Sequence, residues 1–381
     1  MNLVALLAEA GLTGRGGAAF RTATKVEAAH AHGARLVVNA CDGELGAAKD
    51  AWVVRHHLAE LVEGASLVAA GSPVTYAAHR GSETVALLRA AGLPVLDVPA
   101  RYVSSEESSL VSLARGGLAR PLTKRQPVVR GGRDSAGRRI PPTVVLNAET
   151  VWRVAQVADR GAAWFRSVGT PDQPGPRLVA VSTPSVRGLV LETAAGEPVT
   201  DLLRPAGGLP PGSPALLVGG LGGAFVDVGS VAGLRWSDAD LARVGARTGP
   251  GVLEVLDPRD CPLGFVDRCL AWAAGESAGQ CGPCMFGLPA LAADWRALLT
   301  GADPTGREVR ARVALLPGRG ACRFPDGVAG FADSALRVLD GHLEEHRAGR
   351  CPSADPSADA SSRPAQLAGS TAFSGRTHRS P

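Results

Sequence analysis

Between residues 35 and 168 short apolar runs alternate with longer stretches of helical periodicity, and this alternation restricts the fold more than any other feature. RLVVNAC (35–41), VTYAAH, LPVLDV and TVVLN (143–147) are short apolar runs suited to buried strands. AWVVRHHLAELVEGASLVAAG (51–71), ETVALLRAAG and ETVWRVAQVADRGAAWF place apolar residues at helical spacing, and a further helix is expected from near Ser104. Strands separated by helices predict the α/β class, with a mostly parallel sheet covered on both faces. Ligands in such sheets sit beyond the C-terminal ends of the strands. The polar segments following RLVVNAC and TVVLN are therefore the first places to look for function.

The remainder is organised differently. Residues 116–142 are basic, rich in Gly and Pro and aperiodic, which predicts a long functional or mobile loop. Its Lys124 and Arg125 suit either a dinucleotide phosphate or plain solvent. TPDQPGPRL (170–178) reads as a linker, and residues 177–256 alternate β-like runs with turn clusters, as in a small α+β unit of the β-grasp kind. Residues 259–350 read as helical. In DGVAGFADSALRVLDGHLEEH, Val328, Phe331, Ala335, Leu336, Leu339 and Leu343 share one helical face. The Ser-, Ala- and Pro-rich tail 352–381 is expected to be disordered.

Aromatics are only 4% of the chain, so its cores are built mainly from Ala, Val and Leu. The net charge of +4 comes without a Lys/Arg block, which argues against a nucleic-acid surface. No run approaches the roughly 18 apolar residues of a spanning helix. The opening MNLVALLAEAGL lacks a basic n-region and carries Glu9, so it predicts a short helix and not a signal peptide. Seven cysteines, an odd number, with no secretory signal point to a reducing cytoplasmic setting and to metal or redox use.

Several segments can carry chemistry. GLTGRGGAAF (11–20) concentrates glycines before a helix, which suits either a flexible turn or close backbone approach to a phosphate or flavin. Asn39 and Asn147 stand at strand-to-helix switches. Glu106 and Glu107 precede a helix and fit either a ligand site or helix N-terminal stabilisation. Cys281 and Cys284 form C-x-x-C, with Cys322 38 residues on, a pattern for an iron–sulfur cluster or zinc. Cys261 and Cys269 fit buried core thiols.

Taken in order, GRGGAAFRTATKV, NACDGELGAAKD, SSEESSL and LNAET resemble the flavin site in the family of complex I flavoproteins, shared with soluble NAD-linked hydrogenases and formate dehydrogenases. GGLGGAFVDVGS and GPGVLEVLDPRDCP are similar to that family's soluble-ligand-binding β-grasp domain, and ESAGQCGPCMFG with GRGACRFPDG to its iron–sulfur bundle. The resemblance implies a Rossmann-like FMN/NADH-binding domain (1–168), a β-grasp domain (169–258) and a C-terminal four-helix iron–sulfur bundle (259–351). It implies FMN contacts from Gly14, Arg15, Gly16, Gly17, Lys25, Asn39, Asp42, Glu106, Asn147 and Thr150. Phe20 and Glu44 would lie near the nicotinamide, with Glu44 catalytic and Glu107 at the same mouth.

The implied cluster, [4Fe-4S] or [3Fe-4S], would take Cys281, Cys284 and Cys322, with Cys351 as fourth ligand and Cys269 or His342 as alternatives. Ala278 stands where the family places its first cluster cysteine. The implied activity passes electrons from NAD(P)H through FMN and the cluster to a ferredoxin or another redox subunit of a hetero-oligomeric complex. Departures are Cys41 for an aspartate beside the flavin, Ala19 and Ala23 for glycines, Val26 for a tryptophan, and no adenine-stacking aromatic around Ala28. These leave two further readings, an electron relay without NADH binding and a zinc-bound scaffold that uses its β-grasp unit for protein contacts.

Overall fold

A computed structural model describes residues 2–122, 126–134, 136–349 and 351; the tail 352–381, Lys124 and Arg125 lie outside the described residues. The chain opens with α1 (Leu3–Ala10), whose N-cap Asn2 accepts from the Val4 N–H at 3.0 Å. Then follow α2 (Thr22–His32), β1 (Arg35–Asn39), α3 (Lys49–His56), α4 (Leu58–Ala69), β2 (Val74–His79), α5 (Glu83–Ala90), β3 (Val95–Val98) and α6 (Glu107–Ala114). A two-residue hairpin of β4 (Gly132–Arg133) and β5 (Arg139–Ile140) comes next, then β6 (Thr143–Asn147) and α7 (Ala148–Arg166).

The first sheet has the order β3-β2-β1-β6, and all its pairings are parallel. Register pairs Asn39 of β1 with Asn147 of β6, so the two asparagines finish neighbouring strands at the same level. Leu36 and Val38 join α1, α2, α4 and α7 in one core, while Val37 faces a second core with Ala77, Val98 and Val145. Both faces are covered, as the period-two burial of a parallel sheet requires.

Two sequence expectations need correction here. The 51–71 segment is not one helix: α3 and α4 meet at His57, at φ −136° and ψ 35°. The His57 ring stacks on Trp152 of α7 at 4.2 Å, and this contact holds the corner. The loop 116–142 is not wholly aperiodic, since Asp134 accepts from Arg115 at 2.6 Å and from Arg138, which organises the β4–β5 hairpin.

A second sheet combines β7 (Pro176–Ser182), β8 (Leu189–Ala194), β9 (Leu216–Val218), β10 (Ala224–Val226) and β11 (Val252–Val255) in the order β10-β9-β11-β7-β8. Only β11 with β7 is parallel. Short helices α8 (Val199–Leu203), α9 (Val228–Val231) and α10 (Asp238–Ala242) connect the strands. Val179, Val181 and Trp236 fill the core on one face, and Leu217 and Phe225 on the other meet the C-terminal helices.

These helices are α11 (Pro262–Gly275), α12 (Leu288–Leu299), α13 (Arg307–Leu315), α14 (Phe324–Val338) and α15 (Asp340–Arg347). Phe225 packs against Phe331 of α14 with ring centroids 4.9 Å apart, and each such buried side chain contributes about 1.5–3 kcal/mol. All six residues of the apolar face expected over 328–343 are buried. The single helix expected there is two, however, breaking at Leu339 (φ −101°, ψ 16°) before Asp340 and Gly341, both poor helix formers. Among the described residues no helix is long and apolar enough to cross a membrane.

Candidate active site

The ends of β1 and β6 are where the site is assembled. Asn39 donates from Nδ2 to the Ser105 carbonyl at 3.0 Å, and its Oδ1 accepts from the Cys41 N–H at 3.1 Å. Asn147 donates from Nδ2 to Asp50 Oδ1 at 3.0 Å and accepts from the Thr150 hydroxyl. Above them lies the glycine loop, closed by the Gly14 N–H donating to the Phe20 carbonyl at 2.8 Å. Gly17 sits at φ +103°, which a side chain would strain, and a Cβ there would stand 3.5 Å from the Pro250 nitrogen and 3.6 Å from the Gly249 carbonyl carbon. Residues 16–20 are exposed, and Phe20 is 52% exposed. Lys25 completes the rim, its Nζ 3.0 Å from Glu107 Oε1 and 3.3 Å from the Val145 carbonyl.

Four of the expected cofactor ligands are bonded within this frame. Arg15 is buried: its N–H donates to Thr150 Oγ1 at 2.8 Å, and its Nη2 donates to the Pro174 and Pro176 carbonyls at 3.1 and 3.2 Å. Thr150 is thereby occupied between Arg15 and Asn147. Asp42, at φ +46°, accepts from the Asp50 and Ala51 N–H groups at the start of α3. Glu106 caps α6 by accepting from the Ser108 and Ser109 N–H groups, as an N-terminal acid does. Cys41 is a core thiol packed with Val37, Ala77 and Val98, and it donates to the Ala77 carbonyl.

Sequence reasoning missed a buried ion network beneath the site. Lys49 Nζ lies 2.9 Å from Asp50 Oδ2 and 3.1 Å from Glu149 Oε2, and all three side chains are buried. Asp50 Oδ1 also accepts from Asn147 Nδ2 and from the Glu149 N–H, so the network sets the angle of Asn147. Burial acts to lower the Lys49 pKa, but Asp50, Glu149 and Asp42 overcome it and raise it above 10.5. Burial acts to raise Glu149, but Lys49, Arg153 and Arg15 hold it below 4.5. The only signal in the sequence is the charged residues of AAKD and NAET, which flank the more conspicuous asparagine and threonine.

Glu44 faces the other way. Its Oε1 accepts from the Leu45 and Leu221 N–H groups at 2.8 and 2.7 Å, and its Oε2 accepts from the Tyr102 hydroxyl at 2.5 Å. Burial nevertheless raises its carboxyl to about 7 against these bonds. The Tyr102 ring packs on Phe324 at 4.6 Å and edge-on to Trp272 at 6.1 Å. Burial, then Glu44 and Cys322, push the Tyr102 hydroxyl well above its ordinary range. Tyr102, one of only two tyrosines in the chain, therefore spans from the glutamate at the strand ends to the cysteines of the helical region.

Cys281, Cys284 and Cys322 converge there. Burial first, then Cys281 and Cys322 beside it, push the Cys284 thiol up to about 12, and Ser277 shares a hydrogen bond with it. Cys281 and Cys284 flank the start of the irregular turn Pro283–Gly287 that leads into α12. The expected fourth ligand is not among them. Cys351 lies instead beside Cys261 and His346, because α15 turns away at Leu339 and carries the following residues to the start of α11. His342 stands beside that second group, its Nε2 3.5 Å from Cys351 Sγ, but is not one of the three whose ligand atoms all lie within 4.8 Å of one another. Cys269 is buried in the helical core.

Residues 7–156 match a family model described as the Nuo51 FMN-binding domain, and residues 264–346 match one described as the NADH-ubiquinone oxidoreductase-F iron-sulfur binding region. The chain is thus similar to the NADH-quinone oxidoreductase F family over both of these regions. Its similarity to curated members runs nearly end to end. It is 28% identical over 390 residues to the F 2 subunit of NADH-quinone oxidoreductase from Rhizobium meliloti (strain 1021), covering 92% of this chain and 90% of that protein. It is 29% identical over 388 residues to the F subunit of NADH-quinone oxidoreductase from Streptomyces coelicolor, covering 92% and 84%. A crystal structure of an NAD+-reducing [NiFe]-hydrogenase in the H2-reduced state superposes with a TM-score of 0.77 at 25% identity. That superposition covers 90% of this chain and 62% of the hydrogenase chain, so this chain spans less than two thirds of the latter.

The residues fit both cofactors of the family. The exposed glycine loop and Lys25 form a cradle beside the strand ends, open to a phosphate and a flat ring. Three convergent thiols with a neighbouring hydroxyl are a soft donor set for iron and sulfide.

Proposed function

We propose that this chain is the NAD(P)H-oxidising flavoprotein component of a larger redox assembly, passing electrons from FMN through an iron–sulfur centre to a partner. The observation that carries the reading is Tyr102, whose hydroxyl bonds Glu44 at the strand ends while its ring packs on Phe324, two residues from Cys322. The two sites share one wall. When bound, FMN takes a hydride from a dihydronicotinamide and releases electrons singly to a nearby cluster.

In this reading Gly14, Gly16, Gly17, Lys25, Asn39 and Asn147 hold FMN, with Arg15, Asp42, Glu106 and Thr150 fixing their positions. Phe20 offers an exposed ring to the dinucleotide, and Glu107 sets the position of Lys25. Cys281, Cys284 and Cys322 ligate the cluster, and Ser277 supplies the non-cysteine neighbour where Ala278 interrupts the pattern. The chain divides into an FMN/NADH domain (1–168), a β-grasp domain (169–258) and an iron–sulfur helical bundle (259–351), and it works in the cytoplasm. Met285 and Phe286, 47% and 71% exposed, follow Cys284 directly and present apolar surface to a ferredoxin or another redox subunit. FMN and iron analysis of the purified chain tests this: about one flavin per chain with three or four irons supports it. A colourless protein without iron would end it.

Glu44 gives the reading a pH signature. Its ionised form accepts from Tyr102 and from the Leu45 and Leu221 N–H groups, and protonation sacrifices part of that set. With its carboxyl at about 7, flavin reduction by NADH should accelerate from about pH 6 to about pH 8. Glu44→Gln should be slower by about ten-fold and lose that rise while keeping FMN. An unchanged pH profile in the variant would remove Glu44 from the site.

A relay that takes electrons from a protein donor is the second reading. It is favoured by Val26, buried in the core, and by Ala28, where a stacking aromatic is missing. Flavin bleaching by NADH excludes it.

A further inference from the structure

Away from the cluster cysteines, a second group of soft ligands stands at the far end of the helical region. Cys261, the N-cap of α11, His346 of α15 and Cys351 bring their ligand atoms within 4.8 Å of one another. Cys261 Sγ lies 3.8 Å from His346 Nδ1, and Cys351 Sγ lies 3.5 Å from His342 Nε2. A tetrahedral zinc with Zn–S near about 2.3 Å and Zn–N near about 2.05 Å sets sulfur and nitrogen ligands about 3.6 Å apart. Both observed separations are close to that edge.

The sequence spacing agrees. His342 and His346 are four residues apart on one helix, so their rings leave the same face one turn apart. Cys261 also accepts the Gly264 N–H at 3.4 Å, the kind of backbone bond that steadies a metal-bound thiolate. A small recess lined by Leu256, Asp257, Asp260, Cys261, Pro262 and Phe265 lies at the start of α11. Cys261 and Cys351 both fall outside residues 264–346, the span matched by the iron–sulfur region. Cys284 has Cys281, Cys322 and Ser277 around it, whereas Cys351 gathers with Cys261 and His346, so the two groups are separate.

We propose that Cys261, His342, His346 and Cys351 bind a structural zinc ion that clamps the start of α11 to α15 and closes the helical region into one unit. The ligand atoms of Cys261, His346 and Cys351 already stand within 4.8 Å of one another, and His342 moves in from beside Cys351 to complete a tetrahedral shell of two thiolates and two imidazoles, with no position left for a substrate.

The test uses full-length protein, purified anaerobically after growth with zinc, and measures metal content together with zinc-edge X-ray absorption. About one zinc per chain is expected in addition to iron, with two sulfur neighbours at about 2.3 Å and two nitrogens at about 2.0 Å. Cys261→Ser and Cys351→Ser should each lose the zinc while iron and flavin stay at wild-type levels. Cys284→Ser should do the reverse. Should the serine variants fail to fold, cobalt loading of the wild-type chain gives an independent readout through its tetrahedral thiolate absorption bands. Absence of zinc from the wild type, zinc retained in Cys261→Ser, or a Cys261–Cys351 disulfide found by peptide mapping would each overturn the assignment.

Discussion

Cys284→Ser is expected to cut the iron content by about ten-fold or more and to abolish the broad visible absorbance of the cluster. Cys284 is the most deeply held of the three converging thiols: it is buried, with Cys281, Cys322 and Ser277 around it. A serine hydroxyl cannot supply the soft anionic sulfur that iron requires at that position. The flavin half of the protein should be untouched, because the glycine loop, Lys25 and the two asparagines stand on other elements of the fold. FMN should stay bound and NADH should still reduce it, while reduction of a one-electron acceptor falls with the iron. If iron survives the substitution, the ligand set must be drawn from other residues.

Lys49→Met should cost about 3–5 kcal/mol of stability, because it leaves Asp50 and Glu149 as buried carboxylates without their shared cation. The loss reaches the flavin site directly, since Asp50 Oδ1 is what holds Asn147 Nδ2. A lower urea midpoint and weaker FMN retention should therefore appear together. Replacing all three by neutral residues (Lys49→Met, Asp50→Asn, Glu149→Gln) should recover part of the stability, because no charge is then stranded. The pH dependence has a definite sign. Glu149, held below 4.5, contributes stability above that value and loses it as pH falls further. Lys49, raised above 10.5, contributes below that value and loses it as pH rises further. A Lys49→Met protein as stable as wild type would show that the network carries no net stabilisation.

The parallel sheet was legible because its strands are short, apolar and buried on both faces, which leaves few alternatives. β2 spans the same residues as the VTYAAH run. The helix breaks at His57 and Leu339 were not legible, since apolar periodicity continues through both; a stacking partner on α7 makes the first, and Asp340 with Gly341 the second. Within the site, the motif glycines and asparagines were visible as residues, but their division of labour was not. Arg15 and Thr150 look like ligands in a motif, and their fastening role was not visible, because their partners are as many as 161 residues away in sequence. Tyr102 is hidden in the sequence for the same reason: its importance comes from touching Glu44, 58 residues upstream, and the helices that hold Cys322. Counting cysteines assigns Cys351 to the cluster, whereas the turn into α15 decides which group it joins.

A single chain that takes electrons from a nicotinamide and delivers them to an iron–sulfur centre must show both cofactors responding to one nucleotide. Mixing the anaerobic protein with NADH, then with NADPH, while following flavin and cluster absorbance together reads this out. Rapid bleaching of the flavin band followed by loss of the cluster band is expected in the wild type, and flavin bleaching alone in Cys284→Ser. A wild-type spectrum with both cofactors present that responds to neither nucleotide would contradict it.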